Sequence, residues 1–152
     1  MRIRLLALCL VFSTLAFAAS PIADRDALLK LHTLDRDGHL KGDADLITAP
    51  LGPTITEVAG GHVNTINRDS AKQKFADYLR TVKYTAWDDT KEPVIKISSD
   101  GKMAWMLVEI KVEVAPVDKP EGKQTFMNSA IQTYEKGPNG WQMTSIAATV
   151  GR

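Results

Sequence analysis

The chain has 152 residues, of which 44% are hydrophobic and 24% are charged, an ordinary globular composition that excludes disordered and collagen-like chains. The formal net charge is only +1 and the Lys and Arg residues are scattered, so the basic surface of an electrostatic nucleic-acid binder is not expected. The longest apolar stretch lies at the N-terminus, and we expect no internal membrane span.

Residues 1–18 have the features of a secretory signal peptide. Arg2 and Arg4 precede an apolar region over Leu5–Leu15, and Ala16-Phe17-Ala18 offers small residues at the two positions that signal peptidase inspects. A retained anchor is the alternative, but eleven apolar residues are too few to span a bilayer comfortably. Lipidation at Cys9 is disfavoured because the apolar region continues beyond it. We therefore predict cleavage after Ala18 and an exported protein, periplasmic or secreted, with no membrane attachment after cleavage.

Cleavage would leave one domain over residues 19–152. It removes two Arg residues and the only Cys, so 17 basic residues remain against 18 acidic ones, a net charge of about −1. The mature chain then has no disulfide, no reactive thiol and no thiolate metal site, and its core alone must stabilise it.

The first half of the mature chain predicts helices and one hairpin. Ser20-Pro21 is a favourable helix start, and leucines at helical spacing predict a helix over residues 22–37 that ends or bends at Gly38. Asp43 is expected to cap a short helix over Ala44–Thr48. Gly60-Gly61 predicts a two-residue hairpin between strands Thr54–Ala59 and His62–Asn67. Asn67 or Asp69 then caps an amphipathic helix with an apolar face of Ala71, Phe75, Tyr78, Leu79 and Val82.

After that helix the hydrophobic period changes to two, which indicates strands. The predicted strands are Tyr84–Trp87, Val94–Ser98, Met103–Ala115, Gln124–Lys136 and Trp141–Val150. The thirteen residues of the long strand indicate a strongly curved sheet with a bulge. Helices followed by strands predict an α+β fold in which helices pack on one face of an antiparallel sheet, leaving a cavity at the open end.

This order of elements resembles the nuclear-transport-factor-like superfamily, on its SnoaL-like and ketosteroid-isomerase-like side, over about residues 22–150. The resemblance rests on VAGGHVNTINRDSAKQKFADYL (hairpin into helix), WDDTKEPVIKISSDGKMAW (two strands) and YEKGPNGWQM (entry to the last strand). It implies a cone-shaped sheet packed on about three N-terminal helices, a cavity inside, and a homodimer formed through the outer sheet face. The superfamily includes isomerases, cyclases, dehydratases, hydrolases and ligand-binding modules, so the resemblance implies a fold rather than one activity.

His32, Asp35 and His39 are the best candidates for chemistry. They fall within an arc of about 60° on the first helix, at the border of its leucine stripe. A carboxylate beside a histidine fixes the imidazole tautomer, so His32 is a candidate catalytic base with Asp35 as its orienting partner. One alternative is that these three residues lie on a solvent-exposed side of the helix and have no chemical role. A zinc-type ligand set is a weaker alternative. We expect no metal and no cofactor.

Several other residues are candidates for lining the cavity. The set is His39, His62, Arg68, Tyr84, Trp87 and Tyr134. His62 and Arg68 share one strand face, for which a wet outward position is favoured over a carboxylate-binding one. Trp105 and Leu107 lie opposite the Val and Ile stripe of the long strand and are expected at the dimer contact. Asp88 and Asp89 are expected to shape the turn before Pro93.

The sequence contains no GxSxG, P-loop, GxGxxG, HExxH or cysteine pair, which disfavours serine hydrolases, nucleotide-binding enzymes and zinc proteases. An exported domain that binds a small apolar or carbonyl-type ligand is therefore the favoured hypothesis. One alternative is a cofactor-independent isomerase, dehydratase or hydrolase using His32 and Asp35, with Arg68 or Tyr84 as oxyanion partner. The other is a dimeric protein-interaction module with a filled cone.

Overall fold

The first helix begins where the sequence predicts and ends four residues later than expected. The computed structural model describes residues 20–151, so the predicted signal peptide lies outside the described residues. Helix α1 spans Pro21–Lys41, and the Ser20 hydroxyl accepts a hydrogen bond from the Ala23 amide at its start. It ends at Gly42, whose φ of 68° lies in the left-handed region that glycine adopts without strain.

Gly38 lies inside α1 and does not end it, contrary to the sequence prediction. A Cβ at this position would lie 2.6 Å from the Ile47 amide nitrogen and 2.9 Å from the Asp43 carbonyl oxygen. Helix α2, Ala44–Thr48, therefore packs directly against the α1 backbone at a site where only glycine leaves room. The Asp43 carboxylate caps α2 as predicted, accepting from two backbone amides of its first turn.

The hairpin and the third helix also form as predicted. Strand β1 is Leu51–Ala59 and strand β2 is His62–Asn67, joined by two glycines with φ of 57° and 81°. Helix α3, Arg68–Leu79, begins at Asn67, whose side chain accepts from the Ser70 amide at 2.8 Å.

Five further strands complete a seven-stranded sheet. They are β3 Val82–Asp89, β4 Val94–Ile97, β5 Met103–Pro116, β6 Gln124–Gly137 and β7 Gly140–Gly151. The order is β2-β1-β7-β6-β5-β3, and β4 pairs with the N-terminal half of β5. Register shifts interrupt the β3–β5, β6–β7 and β1–β7 pairs, as expected for a curved sheet.

The sheet is mixed rather than wholly antiparallel, which corrects the sequence prediction. β1 runs parallel to β7, whereas every other pair is antiparallel. The parallel pair joins the first and the last strand of the described chain, which are separated in sequence by helix α3 and five other strands. The sheet is not closed, because β2 stays at one edge and β3 and β4 at the other. The α+β class and the three helices agree with the prediction.

One face of the sheet packs against the helices and forms the core. The alternate residues of β5 from Ala104 to Val114 are all buried there, and Leu28 of α1 is fully buried against them. The start of α1 is fixed to the β6–β7 hairpin, since the buried Asp24 carboxylate accepts from Lys136 Nζ and from Trp141 Nε1. Burial alone would raise the pKa of Asp24, but these hydrogen bonds lower it below its usual value. Within residues 20–151, no helix is long and apolar enough to cross a membrane.

Candidate functional site

A cavity of about 490 Å³ lies between the inner sheet face and helices α1 and α3. This volume is in the range of small-molecule sites. Its wall is largely apolar, with Ile55, Ile66, Phe75, Ile110 and Met143 among the lining residues. Phe126 and Val150 also line a neighbouring surface depression, so the cavity and the depression adjoin at the start of β6 and the end of β7. The charged residues in the lining are Asp35, Glu57 and Lys74.

Asp35 and His39 lie one helical turn apart on α1 and both line the cavity. His39 Nδ1 lies 2.9 Å from the Asp35 carbonyl oxygen and 3.4 Å from the Asp35 carboxylate. Because a carbonyl oxygen only accepts, Nδ1 carries the proton and His39 Nε2 is the acceptor. No group among residues 20–151 bonds to Nε2. The pair therefore places one imidazole acceptor and one carboxyl group at the cavity wall.

Aromatic rings surround His39 on the sheet side. Its ring stacks on Trp87, with centroids 3.7 Å apart and planes inclined by 12°, and meets Tyr84 edge-on at 5.0 Å and Phe75 at 5.9 Å. All three aromatic residues also line the cavity. This cluster lies where α1 and α3 approach β3, and it fixes the orientation of the imidazole.

Burial shifts the pKa values of Asp35 and His39 in opposite directions, and in both cases it favours the neutral form. Burial raises the pKa of Asp35 to about 7, and the charge of His32 opposes this shift. Burial lowers the pKa of His39 to about 4, and its hydrogen bond to Asp35 opposes that shift. Burial also raises the pKa of Tyr84 and of Tyr134, which stay protonated. Burial therefore keeps His39 neutral near neutral pH and brings the titration of Asp35 close to that pH.

His32 is not hydrogen-bonded to Asp35, contrary to the sequence expectation. It is buried with 6% exposure, and its Nε2 lies 2.9 and 3.0 Å from the two carboxylate oxygens of Asp89. His32 is not among the residues that line the cavity. Asp89 belongs to strand β3 and pairs with Ile110, so it does not shape the turn before Pro93 as expected. The His32–Asp89 pair joins α1 to β3 beside the cavity.

The zinc-type ligand set, a weaker alternative in the sequence analysis, does not assemble among residues 20–151. No group of three or more His, Cys, Asp and Glu side chains among residues 20–151 is arranged to hold a metal ion. His32 contacts Asp89 and His39 contacts Asp35, so the three candidates do not converge on one point.

The remaining sequence candidates divide between the wall and its surroundings. Tyr84 and Trp87 line the cavity as described above. His62 is exposed and lies outside the lining, although Ile66 on the same strand face belongs to it. Arg68 is the first residue of α3 and donates to the Leu51 carbonyl, so it is not an oxyanion partner at the wall. Tyr134 lies behind the wall, with its hydroxyl donating to Gln132 Oε1 at 2.8 Å.

Sequence reasoning missed two polar residues of the wall, Asn128 and Gln132 on β6. Both alternate in phase with Ala130 and Tyr134, and this period of two was the signal that placed them on the inner face. Asn128 Oδ1 and Trp87 Nε1 are buried and have no hydrogen-bond partner within residues 20–151. Unsatisfied buried polar atoms are rare in native proteins, and these two belong to residues of the cavity wall.

The comparison with known proteins identifies the fold. Neither a protein-family model nor a curated protein matches this sequence. Among solved structures, a nuclear transport factor 2 (NTF2-like) superfamily protein from Salmonella enterica is similar with a TM-score of 0.72 and 15% identity, over 88% of this chain and 94% of that one. An NTF2-like protein with a cystatin-like fold from Novosphingobium aromaticivorans has a TM-score of 0.62 and 12% identity, over 84% and 81%.

A third structure carries an enzyme description. It is a candidate dehydratase of the NTF2-like family from Streptomyces avermitilis, with a TM-score of 0.61 and 15% identity, over 85% of this chain and 96% of that one. At such identities the similarity establishes architecture and leaves the activity to the site itself. This chain has the NTF2-like fold, which is the fold that the sequence resemblance implies.

Proposed function

We propose that this protein is a binding domain for a small, mostly apolar molecule that occupies the cavity. The observation that carries the proposal is the cavity itself, about 490 Å³ with an apolar wall and a few polar groups. Binding sites for small molecules combine these features, because the apolar wall supplies affinity and the polar groups fix orientation. The open space supports ligand binding over the alternative of an interaction module, which would have a filled cone.

The charges of the wall favour an uncharged ligand with a carbonyl or hydroxyl group. His39 is neutral near pH 7 because burial lowers its pKa to about 4, and Asp35 supplies negative charge or a protonated carboxyl, never positive charge. An anionic group placed beside Asp35 would face a carboxyl group that can itself carry negative charge near neutral pH. Lys74 is exposed and is the cationic residue of the lining.

The test is a fluorescence titration with N-phenyl-1-naphthylamine, an uncharged apolar dye. Ala148 lines the cavity, and Ala148→Phe places a ring in it; Thr149→Phe adds a ring at the next, exposed position outside the lining. We expect the parent protein to bind the dye, Ala148→Phe to weaken binding at least tenfold, and Thr149→Phe to leave it unchanged. Absence of dye binding, or equal loss in both variants, would contradict the proposal.

A second candidate function is cofactor-independent proton transfer on a small ketone. One observation favours it: burial raises the pKa of the Asp35 carboxyl in the cavity to about 7. A carboxyl group with such a pKa exchanges protons efficiently at neutral pH. In this alternative Asp35 takes or returns the proton, and the His32 assigned from sequence acts only through its charge. Exchange of the α-protons of 2-tetralone in D₂O, followed by NMR, tests it. Asp35→Asn must abolish any catalysed exchange, whereas parent-level exchange in that variant refutes the assignment.

We further propose a homodimer formed through the outer sheet face. One residue from each of six strands forms a continuous apolar row there, in direct register; the row is Val63, Val58, Ala147, Ile131, Leu107 and Val94. Five of these side chains are exposed. A second copy of the same face would cover the row, because a two-fold interface is self-complementary. Trp105 lies beside Leu107 on this face, as the sequence analysis expects.

Export remains a proposal that rests on sequence alone. Arg2, Arg4, the following apolar region and Ala16-Phe17-Ala18 are its support. Intact-mass measurement of the protein recovered outside the cytoplasm should show the loss of 18 residues and an N-terminal Ala19. Recovery of the full-length chain in the cytoplasm alone would contradict it.

A further inference from the structure

Gln132 is a buried amide whose two ends have different surroundings. The residue is 4% exposed and belongs to the cavity lining. Its Oε1 accepts a hydrogen bond of 2.8 Å from the Tyr134 hydroxyl, two residues along β6. No acceptor among residues 20–151 bonds to its Nε2, so two N–H donors have no protein partner in the described chain. Nε2 is not among the fully buried polar atoms that lack a partner, so it reaches the open space of the cavity, where an acceptor on a bound molecule can pair with it.

Tyr134 determines which end of the amide is free. Its phenol is fully buried and stays protonated, because burial raises its pKa and the charge of Asp35 acts in the same direction. A protonated phenol that donates to Oε1 holds the carboxamide with Nε2 as the free end.

From these contacts we propose that Gln132 is the specificity-determining residue of the cavity and donates through Nε2 to a ketone oxygen of the bound molecule, with Tyr134 as its positioning residue. This rests on the proposed binding function and names the ligand class as uncharged, largely apolar ketones. A ketone oxygen matches Nε2 because it accepts hydrogen bonds from N–H donors. The surrounding apolar wall, including Val108, Ala130 and Ile146, then covers the hydrocarbon part of the ligand.

The experiment is isothermal titration calorimetry with two matched probes, 2-acetonaphthone and 2-ethylnaphthalene, which differ in one carbonyl oxygen. The variants are Gln132→Leu, which removes the donor, and Tyr134→Phe, which removes the hydroxyl that orients it. Gln142→Leu is the control, because Gln142 lies on the neighbouring strand β7 outside the lining. Circular dichroism and thermal unfolding verify that each variant is folded.

We expect the parent protein to prefer the ketone about tenfold. Gln132→Leu should abolish this preference while binding of 2-ethylnaphthalene stays within twofold, Tyr134→Phe should reduce it about threefold, and Gln142→Leu should leave it unchanged. A carbonyl-¹³C label adds a direct signature, since the infrared C=O stretch of the bound ketone should move to higher frequency in Gln132→Leu.

The other outcomes separate this inference from the proposed function. Equal affinity of the parent protein for both probes would overturn the role of Gln132 and leave the cavity as an apolar binding site. Equal weakening of both probes by Gln132→Leu would assign Gln132 a structural role and overturn the inference. Failure of both probes to bind the parent protein would overturn the inference together with the proposed function.

Discussion

His39 stacks on Trp87 with its imidazole nearly parallel to the indole, while Nδ1 of the same imidazole donates to the carbonyl oxygen of Asp35. One side chain therefore fixes α1 against β3 and sets the polarity of the cavity wall beside it. The tautomer follows from the hydrogen bond, and the neutral state follows from the burial that lowers its pKa to about 4.

Asp35 and His39 should make opposite contributions to the pH dependence of folding stability, and these contributions should cancel in the parent protein. The pKa of Asp35 is raised from 3.8 to about 7, so its contribution to folding stability is complete below pH 3.8 and is lost as the pH rises toward 7. The pKa of His39 is lowered from 6.5 to about 4, so its contribution is complete above pH 6.5 and is lost as the pH falls toward 4.

Single variants should reveal the separate contributions of Asp35 and His39 to the pH dependence of stability. Between pH 4.5 and 6.5, the free energy of unfolding of Asp35→Asn should rise with pH relative to the parent protein, and that of His39→Phe should fall. Each slope is at most about 1.4 kcal/mol per pH unit, the value for one proton. Urea unfolding at several pH values measures both. Parallel pH profiles for the parent and both variants would show that the pair does not titrate as described.

Replacing His32 should reduce stability without changing ligand binding. His32 bonds to the Asp89 carboxylate and does not line the cavity, so His32→Asn removes a hydrogen bond to a charged group, at a cost of about 1.5–3 kcal/mol. Dye affinity should stay within twofold of the parent value. Asp35→Asn is the contrasting variant, because Asp35 lies at the wall and its replacement should alter affinity. Loss of dye binding in folded His32→Asn would instead support the site role predicted from sequence.

Gly38→Ala should destabilise the protein although helix propensity favours alanine by about 1 kcal/mol. The new Cβ would lie 2.6 Å from the Ile47 backbone nitrogen, and backbone atoms of α2 cannot move aside as a flexible side chain can. We expect a loss of about 1–3 kcal/mol in urea unfolding. Unchanged or increased stability would show that α2 shifts freely against α1.

Charge in the apolar row of the outer sheet face should separate the proposed dimer. Leu107 lies within the row, between Val94 and Ile131, and is 42% exposed, so Leu107→Lys leaves the monomer fold intact while it places a charge in the interface. Light scattering should give a dimer mass for the parent protein and a monomer mass for the variant. Ser99→Lys, in the exposed β4–β5 turn, should stay dimeric. A monomeric parent protein would refute the proposal.

Local signals in the sequence were sufficient for most elements of the fold. The caps and the hairpin turn depend on contacts within three residues, as at Asp43, Gly60-Gly61 and Asn67. The alternation of buried residues along β5 can be recognised from that strand alone. Gly38 shows the limit of such signals. A glycine required for close packing and a glycine that ends a helix look the same in sequence, and only the position of α2 distinguishes them.

The candidate site could be predicted only in part, because its pairings are long-range. Asp35 and His39 were found because they share a helix, but the partner of His32 lies 57 residues away on β3. The orientation of Gln132 depends on Tyr134, which the alternation of β6 places on the same face without indicating the hydrogen bond between them.

The parallel pairing of β1 with β7 has a consequence for the order of assembly. The β1–β2 hairpin joins the rest of the sheet only through β7, the last strand of the described chain. Contacts between strands so distant in sequence form slowly, because a long loop must close before the strands can pair. A chain that emerges from one end, whether from a ribosome or from a translocation channel, therefore has an incomplete cavity wall until residues 140–151 are released. The proposed binding of a small molecule would therefore require β7 to be in place.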